Sequence, residues 1–465
     1  MRLSSGSSEA LFPHCLEQVA SRLEPSEEYL RTLELRAGEV IAALEKAVEQ
    51  LGLSHVVKAL ELQGSLARDT WLPDDVDIDI FVLFDSRVSA EELRELTKRI
   101  SERAAQELGA GLETRYASHP YYVLKLRDLE VEVVPAYRVP SPAQAVTPVD
   151  RTPFHTNYVR EELSKNPALK RDIRVFKKLL KNLRIYGAET WVGGFSGYLA
   201  ELLVIRYGGL QRLLREIASW KPGRVFIPPT EEALRFKGAP LVVLDPVDNR
   251  RNAAAAVTRD ALLKLIAAAR LVAQREDLLC CFLEPPRADL DESALREALA
   301  AKQFLFVKAE SREGMPTDAF KGRLSRVQRK LKSKLEEEGF LVYRAKLLDL
   351  KAGPLIAVEL DQEDLPPRKK HIGPPVWSAN ALSFLEKWVR ARSPVFVEGE
   401  RWVAVVPRKH RRASEVAAAL LRAYKDFEWH TLDAESLLQH YTRPEDRREI
   451  YLWALGLEEW MLCFQ

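Results

Sequence analysis

The sequence predicts an α+β protein of several domains: a mixed sheet with helices, then a mostly helical stretch, then an α/β region. Three observations carry this. Helical spacings and period-two strand patterns alternate up to about Tyr137, Pro140, Pro142 and Pro148 then punctuate the chain, and beyond about Glu284 a strand–helix–strand–strand order sets in. At 465 residues the chain is long enough for two to four cores. The divisions are read at 1–145, 146–283 and 284–465, with a further split near 375.

Taken in order, residues 25–51 place Leu30, Leu33, Leu35, Val40, Ile41, Leu44 and Val48 at helical spacing and close at Gly52. Val56 to Leu62 alternates as a strand and runs into a Gly64-Ser65 turn. Val76 to Phe84 is a second strand. Ser89 caps an amphipathic helix to Leu108. Tyr121–Leu126 and Glu130–Val134 form a hairpin around Arg127-Asp128-Leu129. In the middle region 157–183, 197–217 and 260–277 read as helices. The last region opens with strand Phe304–Ala309, a basic helix from Phe320 to Glu338, and strands Phe340–Leu348 and Pro354–Leu360. Pro366-Pro367 and Gly373-Pro374-Pro375 are turns, followed by a helix over 378–392, a strand over 402–406 and a helix over 414–424.

The chemistry concentrates on the second strand. Successive strand side chains point to opposite faces, so Asp77 and Asp79 share a face while Val76, Ile78, Ile80 and Val82 take the other. A one-residue slip would bury both acids, which fixes the register. Adjacent carboxylates repel unless a cation lies between them, and hard oxygen ligands suit magnesium. Glu132, on the hairpin strand, is the candidate third acid for a two-metal site. Gly64 permits close backbone approach to a ligand, and Ser65 offers a hydroxyl and an N–H to phosphate oxygens. Arg68 is read as a further donor or as a surface charge.

Composition narrows the class. Hydrophobic residues make up 46% and charged residues 30%, as in a soluble globular protein, and the net charge is only +2. No apolar run is long enough to cross a membrane, and the N-terminus has no signal-like core, so a cytoplasmic protein is expected. Basic clusters at 321–334, 368–371 and 408–412 suit a phosphate-backbone track. The four cysteines (Cys15, Cys280, Cys281, Cys463) have no metal-ligand spacing and read as buried free thiols. Few Met and Cys beside many Arg and Glu suit a heat-adapted protein. The sequence does not fix the oligomeric state, and a homodimer is compatible with it.

Gly64-Ser65-x-Ala67-Arg68-x-Thr70-Trp71-Leu72, running into Asp77-Ile78-Asp79-Ile80-Phe81, resembles the signature of the nucleotidyltransferase superfamily shared with DNA polymerase beta. The Thr-Trp-Leu segment resembles the archaeal, or class I, CCA-adding enzymes. Further segments agree in order: His119-Pro120-Tyr121, Val133 to Tyr137, Asp150-Arg151-Thr152-Pro153-Phe154-His155, Val192 to Val204, and Asp245-Pro246-Val247-Asp248 with Arg251-Asn252. The likeness spans about residues 64–256 and is looser in the C-terminal third.

The resemblance implies a polymerase-beta-like catalytic domain, a helical domain completing the nucleotide pocket and a C-terminal RNA-binding region. It implies addition and repair of the 3′-terminal CCA of tRNA without a template, from CTP and ATP, with magnesium. By the same resemblance Asp77, Asp79 and Glu132 hold the metals, His155, Lys177 and Tyr186 contact the triphosphate, and Arg251 reads the incoming base. The family usually has Asp where Glu132 stands. From the residues alone, Lys177 is a helix-surface lysine, Tyr186 a core-edge aromatic, and Arg251 a partner for Asp245 or Asp248. The tRNA is expected to be held at its acceptor stem and TΨC arm by backbone and shape. A poly(A) polymerase, an oligoadenylate synthetase-like enzyme or an idle RNA-binding relative would share the same acids.

Overall fold

The computed structural model describes residues 14–116, 120–127, 129–287, 290–312 and 315–464. His119, Asp128 and the Cys15 side chain lie outside the described residues. The chain forms two units, one of residues 1–286 with 460–465 and one of residues 287–459.

The first unit begins with helices α1 (His14–Leu23) and α2 (Glu27–Gln50), the latter capped by the Ser26 hydroxyl. Strand β1 (Val57–Gln63), the short helix α3 (Gly64–Ala67), strand β2 (Ile78–Phe84) and helix α4 (Ala90–Leu108) follow. Then come β3 (Gly111–Tyr116), β4 (Pro120–Lys125) and β5 (Glu130–Tyr137). The sheet order is β1-β2-β5-β4-β3, and β2–β5 is its parallel pair. As expected, β4 and β5 form a hairpin and Ser89 caps α4, here through a reciprocal bond with Glu92. Two expectations change. Gly64-Ser65 opens a helical turn rather than a plain turn, and Leu35 is 70% exposed, because it falls off the face that α2 buries.

One face of β2, with Ile78, Ile80, Val82 and Phe84, packs on α2 and α4 through Leu44, Val48, Ile100 and Ala104. On the other face Phe81 and Leu83 meet Val134 and Ala136 in a separate apolar cluster. The sheet is therefore anchored from both sides, and its acidic end is held rigidly above an apolar floor.

The helical half comprises α5 (Thr152–Lys165), α6 (Leu169–Asn182), α7 (Gly197–Tyr207), α8 (Leu210–Ile217), α9 (Arg259–Gln274) and α10 (Leu278–Leu283), with the short strands β6 (Phe226–Ile227) and β7 (Val242–Val243). The helix expected over 157–183 is broken at Asn166-Pro167. Proline disfavours a helical residue before it and lacks the N–H that the turn needs. The helix expected over 197–217 is broken at Gly208-Gly209, both at positive φ.

Cys281 and Cys463 form a disulfide with Cα atoms 6.2 Å apart, and Cys280 is disulfide-bonded as well, which overturns the expectation of free thiols. The partners are 182 residues apart, so no local spacing announces the bond. Nor do free thiols follow from an intracellular reading, because proteins of hyperthermophiles keep disulfides inside the cell. Around it Trp460 packs on Phe282, and the Arg275 guanidinium lies over Phe464.

The second unit contains α11 (Glu292–Ala300), β8 (Gln303–Ser311), α12 (Thr317–Glu338), β9 (Val342–Leu348) and β10 (Leu355–Leu360). It continues with β11 (Arg368–Pro375), α13 (Ala381–Arg390), β12 (Val395–Glu398), β13 (Arg401–Pro407), α14 (Ala413–Leu421), β14 (Phe427–Leu432), α15 (Ala434–His440) and α16 (Pro444–Leu455). Its larger sheet runs β14-β8-β10-β9, with α12 packed on it through Val327, Leu331 and Leu335. The smaller sheet runs β11-β13-β12. Gly373-Pro374-Pro375 is not a turn but the end of β11, where the ladder is irregular between Ile372 and Pro375. Among the described residues no helix is long and apolar enough to cross a membrane.

Candidate active site

The parallel register of β2 and β5 sets Asp79 directly beside Glu132. Adjacent strands lie about 4.8 Å apart, so two like charges face each other across one rung. Asp77 stands just before β2 begins, and its carboxylate is exposed while Asp79 is half-buried. Burial, reinforced by Asp77, pushes the Asp79 carboxyl up to about 6. Burial together with Asp79 and Asp77 pushes Glu132 up to about 8, and Asp77 is raised too, by partial desolvation and then by Asp75. Among the described residues, no three acidic, His or Cys side chains converge closely enough to cage a metal ion as they stand. The donor set nevertheless fits a hard divalent cation: three carboxylates, each made easier to protonate by burial and by acidic neighbours.

Gly64 explains how Asp79 reaches this position. Its φ is +71°, and a Cβ there would lie 1.7 Å from Asp79 Oδ2, so any side chain would expel the carboxylate.

Beside the acids lies a buried network of cations. Glu201, on α7, is fully buried and meets Arg68 Nε at 2.9 Å, Lys177 Nζ at 2.8 Å and the Thr70 hydroxyl at 2.5 Å. Lys177 also donates to the Thr70 carbonyl at 3.0 Å. Burial pushes Glu201 up, but Arg68 and Lys177 outweigh it and hold the carboxylate below its usual range. Lys177 is thus 1% exposed and not the surface lysine that the residues alone suggest. Arg68 is likewise buried rather than a surface charge. Tyr186 is half-buried with its hydroxyl and Lys177 Nζ both close to Gly197, and burial raises the tyrosine pKa. A Cβ at position 197 would come within 2.8 Å of that hydroxyl, so Gly197 makes the room. Four further cations of α6 secure the loop before β2: Arg174 and Lys170 bind Asp69, Lys178 binds Asp74 and Lys181 binds Asp75.

A third cluster centres on Asp245. It accepts from His155 Nε2, the Tyr198 hydroxyl and Arg251 Nη1, each at 2.9 Å. His155 and Tyr198 stack with ring centres 4.1 Å apart. Burial lowers the His155 pKa, against the pull of Asp245. Arg250 and Arg151 take Asp248 instead, so Arg251 pairs with Asp245, one of the two partners expected. Asp150, fully buried, accepts from the Tyr137, Val146 and Thr147 amides, which joins the end of β5 to α5 and sets the position of His155. Arg68 connects all three groups, since its charge is felt by Asp79, Glu201 and His155. The fold therefore assembles Gly64, Arg68, Asp77, Asp79, Glu132, His155, Lys177, Tyr186 and Arg251 in one region, with Ser65 in the adjoining turn. Glu201 and Tyr198 escaped the sequence reading of side-chain roles, and Asp245 was read only as a partner for Arg251. Their signal was their place inside the Gly193–Val204 and Asp245–Asn252 segments.

Three family models match this chain in sequence. They are a nucleotidyltransferase domain over residues 41–155, the second domain of tRNA nucleotidyltransferase over 171–282 and the C-terminal domain of CCA-adding enzyme over 306–429. The CCA-adding enzyme of Pyrobaculum aerophilum is 36% identical over 403 residues, spanning 85% of this chain and 91% of the relative. This chain belongs to the CCA-adding enzyme family. That of Methanothermobacter thermautotrophicus is 34% identical, over 85% of each chain. The protein is accordingly a tRNA nucleotidyltransferase, adding CCA to tRNA without a nucleic-acid template. Enzymes of this family are metal-dependent. A solved cytoplasmic RNA terminal U-transferase overlays 60% of the chain at 14% identity and a TM-score of 0.45, too loosely to add to this.

Proposed function

We propose that Asp77, Asp79 and Glu132 would hold a pair of magnesium ions, and that beside these acids the 3′-hydroxyl of tRNA attacks the α-phosphate of CTP or ATP and pyrophosphate leaves. The observation that carries this is the register of Asp79 against Glu132, with both carboxyls raised by burial and by the neighbouring acids. Bound there, the ions would lower the pKa of the hydroxyl and offset charge on the departing pyrophosphate. The Ser65 hydroxyl and amide, the Arg68–Lys177 pair, Tyr186 and His155 receive the triphosphate. Glu201 cancels one of the two buried positive charges, so the network keeps a net charge of about +1 for phosphate oxygens. His155 has its Nε2–H committed to Asp245, so it donates to a phosphate through Nδ1 only as the imidazolium, a form that the incoming negative charge favours. Arg251, 42% exposed, presents its guanidinium to the incoming base. Cytosine and adenine offer ring-nitrogen or carbonyl acceptors at that edge, whereas guanine and uracil present N–H groups.

In this reading residues 1–145 are catalytic, 146–283 complete the nucleotide pocket, and the basic surfaces of 284–465 grip the acceptor stem and TΨC arm through backbone and shape. The test is labelled CTP and ATP incorporation, with magnesium, on tRNAs ending at each stage of CCA synthesis. The expected result is C, C, then A, and a stop after three. Absence of incorporation, or an open-ended adenylate tail, overturns the reading.

A further inference from the structure

Asp245 has no contact with solvent, yet four donors converge on it. Its Oδ2 receives both His155 Nε2 and Arg251 Nη1, and its Oδ1 receives the Tyr198 hydroxyl and, at 3.1 Å, the Val247 amide. One oxygen is thus shared between the proposed base reader and a proposed triphosphate contact. Arg251 reaches outward from this anchor, while His155 is buried against Tyr198. An unanchored arginine samples many rotamers and reads nothing in particular. Tied at Nη1, the guanidinium plane is set, and its other end is left for a ligand.

We propose that Asp245 is a positioning residue that determines base specificity, by fixing the orientation in which Arg251 meets the incoming nucleotide. The inference rests on the reading of Arg251 given above. It also makes the CTP and ATP preference a property of the Asp245–Arg251 pair and not of Arg251 alone.

Asp245→Asn separates the two functions of the shared oxygen. The Val247 amide requires an acceptor at Oδ1, so the new NH₂ takes the Oδ2 position. There it faces Arg251 donor to donor and releases it. His155 can change tautomer and accept through Nε2, which keeps its place. Preference for CTP and ATP over UTP and GTP, as a ratio of kcat/KM, should fall about ten- to a hundredfold, the effect of losing one charge-assisted hydrogen bond. Inhibition by pyrophosphate, which carries no base, should change by less than about twofold. In an Arg251→Ala background Asp245→Asn should remove no further preference.

An unchanged preference, pyrophosphate inhibition weakened as much as preference, or a full second loss on top of Arg251→Ala would each overturn the inference. Should Asp245→Asn fail to fold, Arg251→Lys carries the test from the exposed side. Lysine cannot be anchored and present a planar edge at once, so the preference should fall similarly, and a retained preference overturns the inference. A wild-type chain inert towards every triphosphate would remove the proposed function and this inference together. An active wild type whose preference ignores both substitutions removes this inference alone.

Discussion

Replacing Glu201 with glutamine tests the buried cation network. The carboxylate is fully buried, its partner Lys177 is 1% exposed and Arg68 is 8% exposed, so solvent screens none of these charges appreciably. Glutamine matches the shape but leaves two buried cations with no anion between them. Removing one partner of a buried ion pair destabilises a protein by about 3–5 kcal/mol, because the remaining charge stays desolvated. For a unit of this size each kcal/mol lowers the melting temperature by about 2–4 °C, which gives a drop of roughly 6–20 °C. Urea unfolding of Glu201→Gln, Lys177→Met and the double variant measures it. Removing Lys177 as well relieves part of the imbalance, so the double variant should be more stable than the sum of the singles by about 0.5–3 kcal/mol. A loss under about 1 kcal/mol for Glu201→Gln, or strict additivity, would refute the claim that Glu201 is the countercharge of this network.

Three further outcomes are expected. Asp79→Ala should abolish nucleotide incorporation and leave tRNA affinity, measured by filter binding, largely intact, and equal activity in variant and parent would discredit the acidic site. Metal-free protein should melt at progressively lower temperature as pH rises from about 4 to about 8. Asp79 and Glu132 hold protons more tightly folded (about 6 and about 8) than at their ordinary 3.8 and 4.5, so stability is fullest in acid and is lost as they ionise. Added magnesium should flatten that slope, as should Glu132→Gln in part, and a pH-independent melt with chelator present would contradict the account. Cys463→Ser opens a covalent loop of 182 residues that encloses the second unit, and should cost about 2–5 kcal/mol of stability under non-reducing conditions. An unchanged melt would show that the Trp460–Phe282 packing suffices.

Much of this could be read in the sequence because it depends on short-range rules. The alternation around Asp79 gave the face that each acid takes, and Ser89 announced the start of α4. Glu132 was legible as a candidate third acid on its hairpin strand, whereas its pairing with Asp79 across β2 and β5 is non-local and was not read. The cation network could not be read in this way. Nothing near Lys177 in sequence tells that Glu201 and Thr70, 24 and 107 residues away, will bury it. The disulfide is hidden for the same reason. Two breaks in the helical half were legible in principle, since Asn166-Pro167 and Gly208-Gly209 carry plain stop signals that apolar spacing overrode. β11 went unread because its polar, proline-bounded sequence lacks an apolar face: Arg368, Lys370, His371 and Ile372 are all exposed.

The most direct measurement is anomalous scattering from manganese in crystals grown with CTP. Peaks should lie about 2 Å from carboxylate oxygens of Asp77, Asp79 and Glu132, with triphosphate oxygens completing the coordination. A metal bound by the two aspartates with Glu132 turned away would contradict the three-acid site.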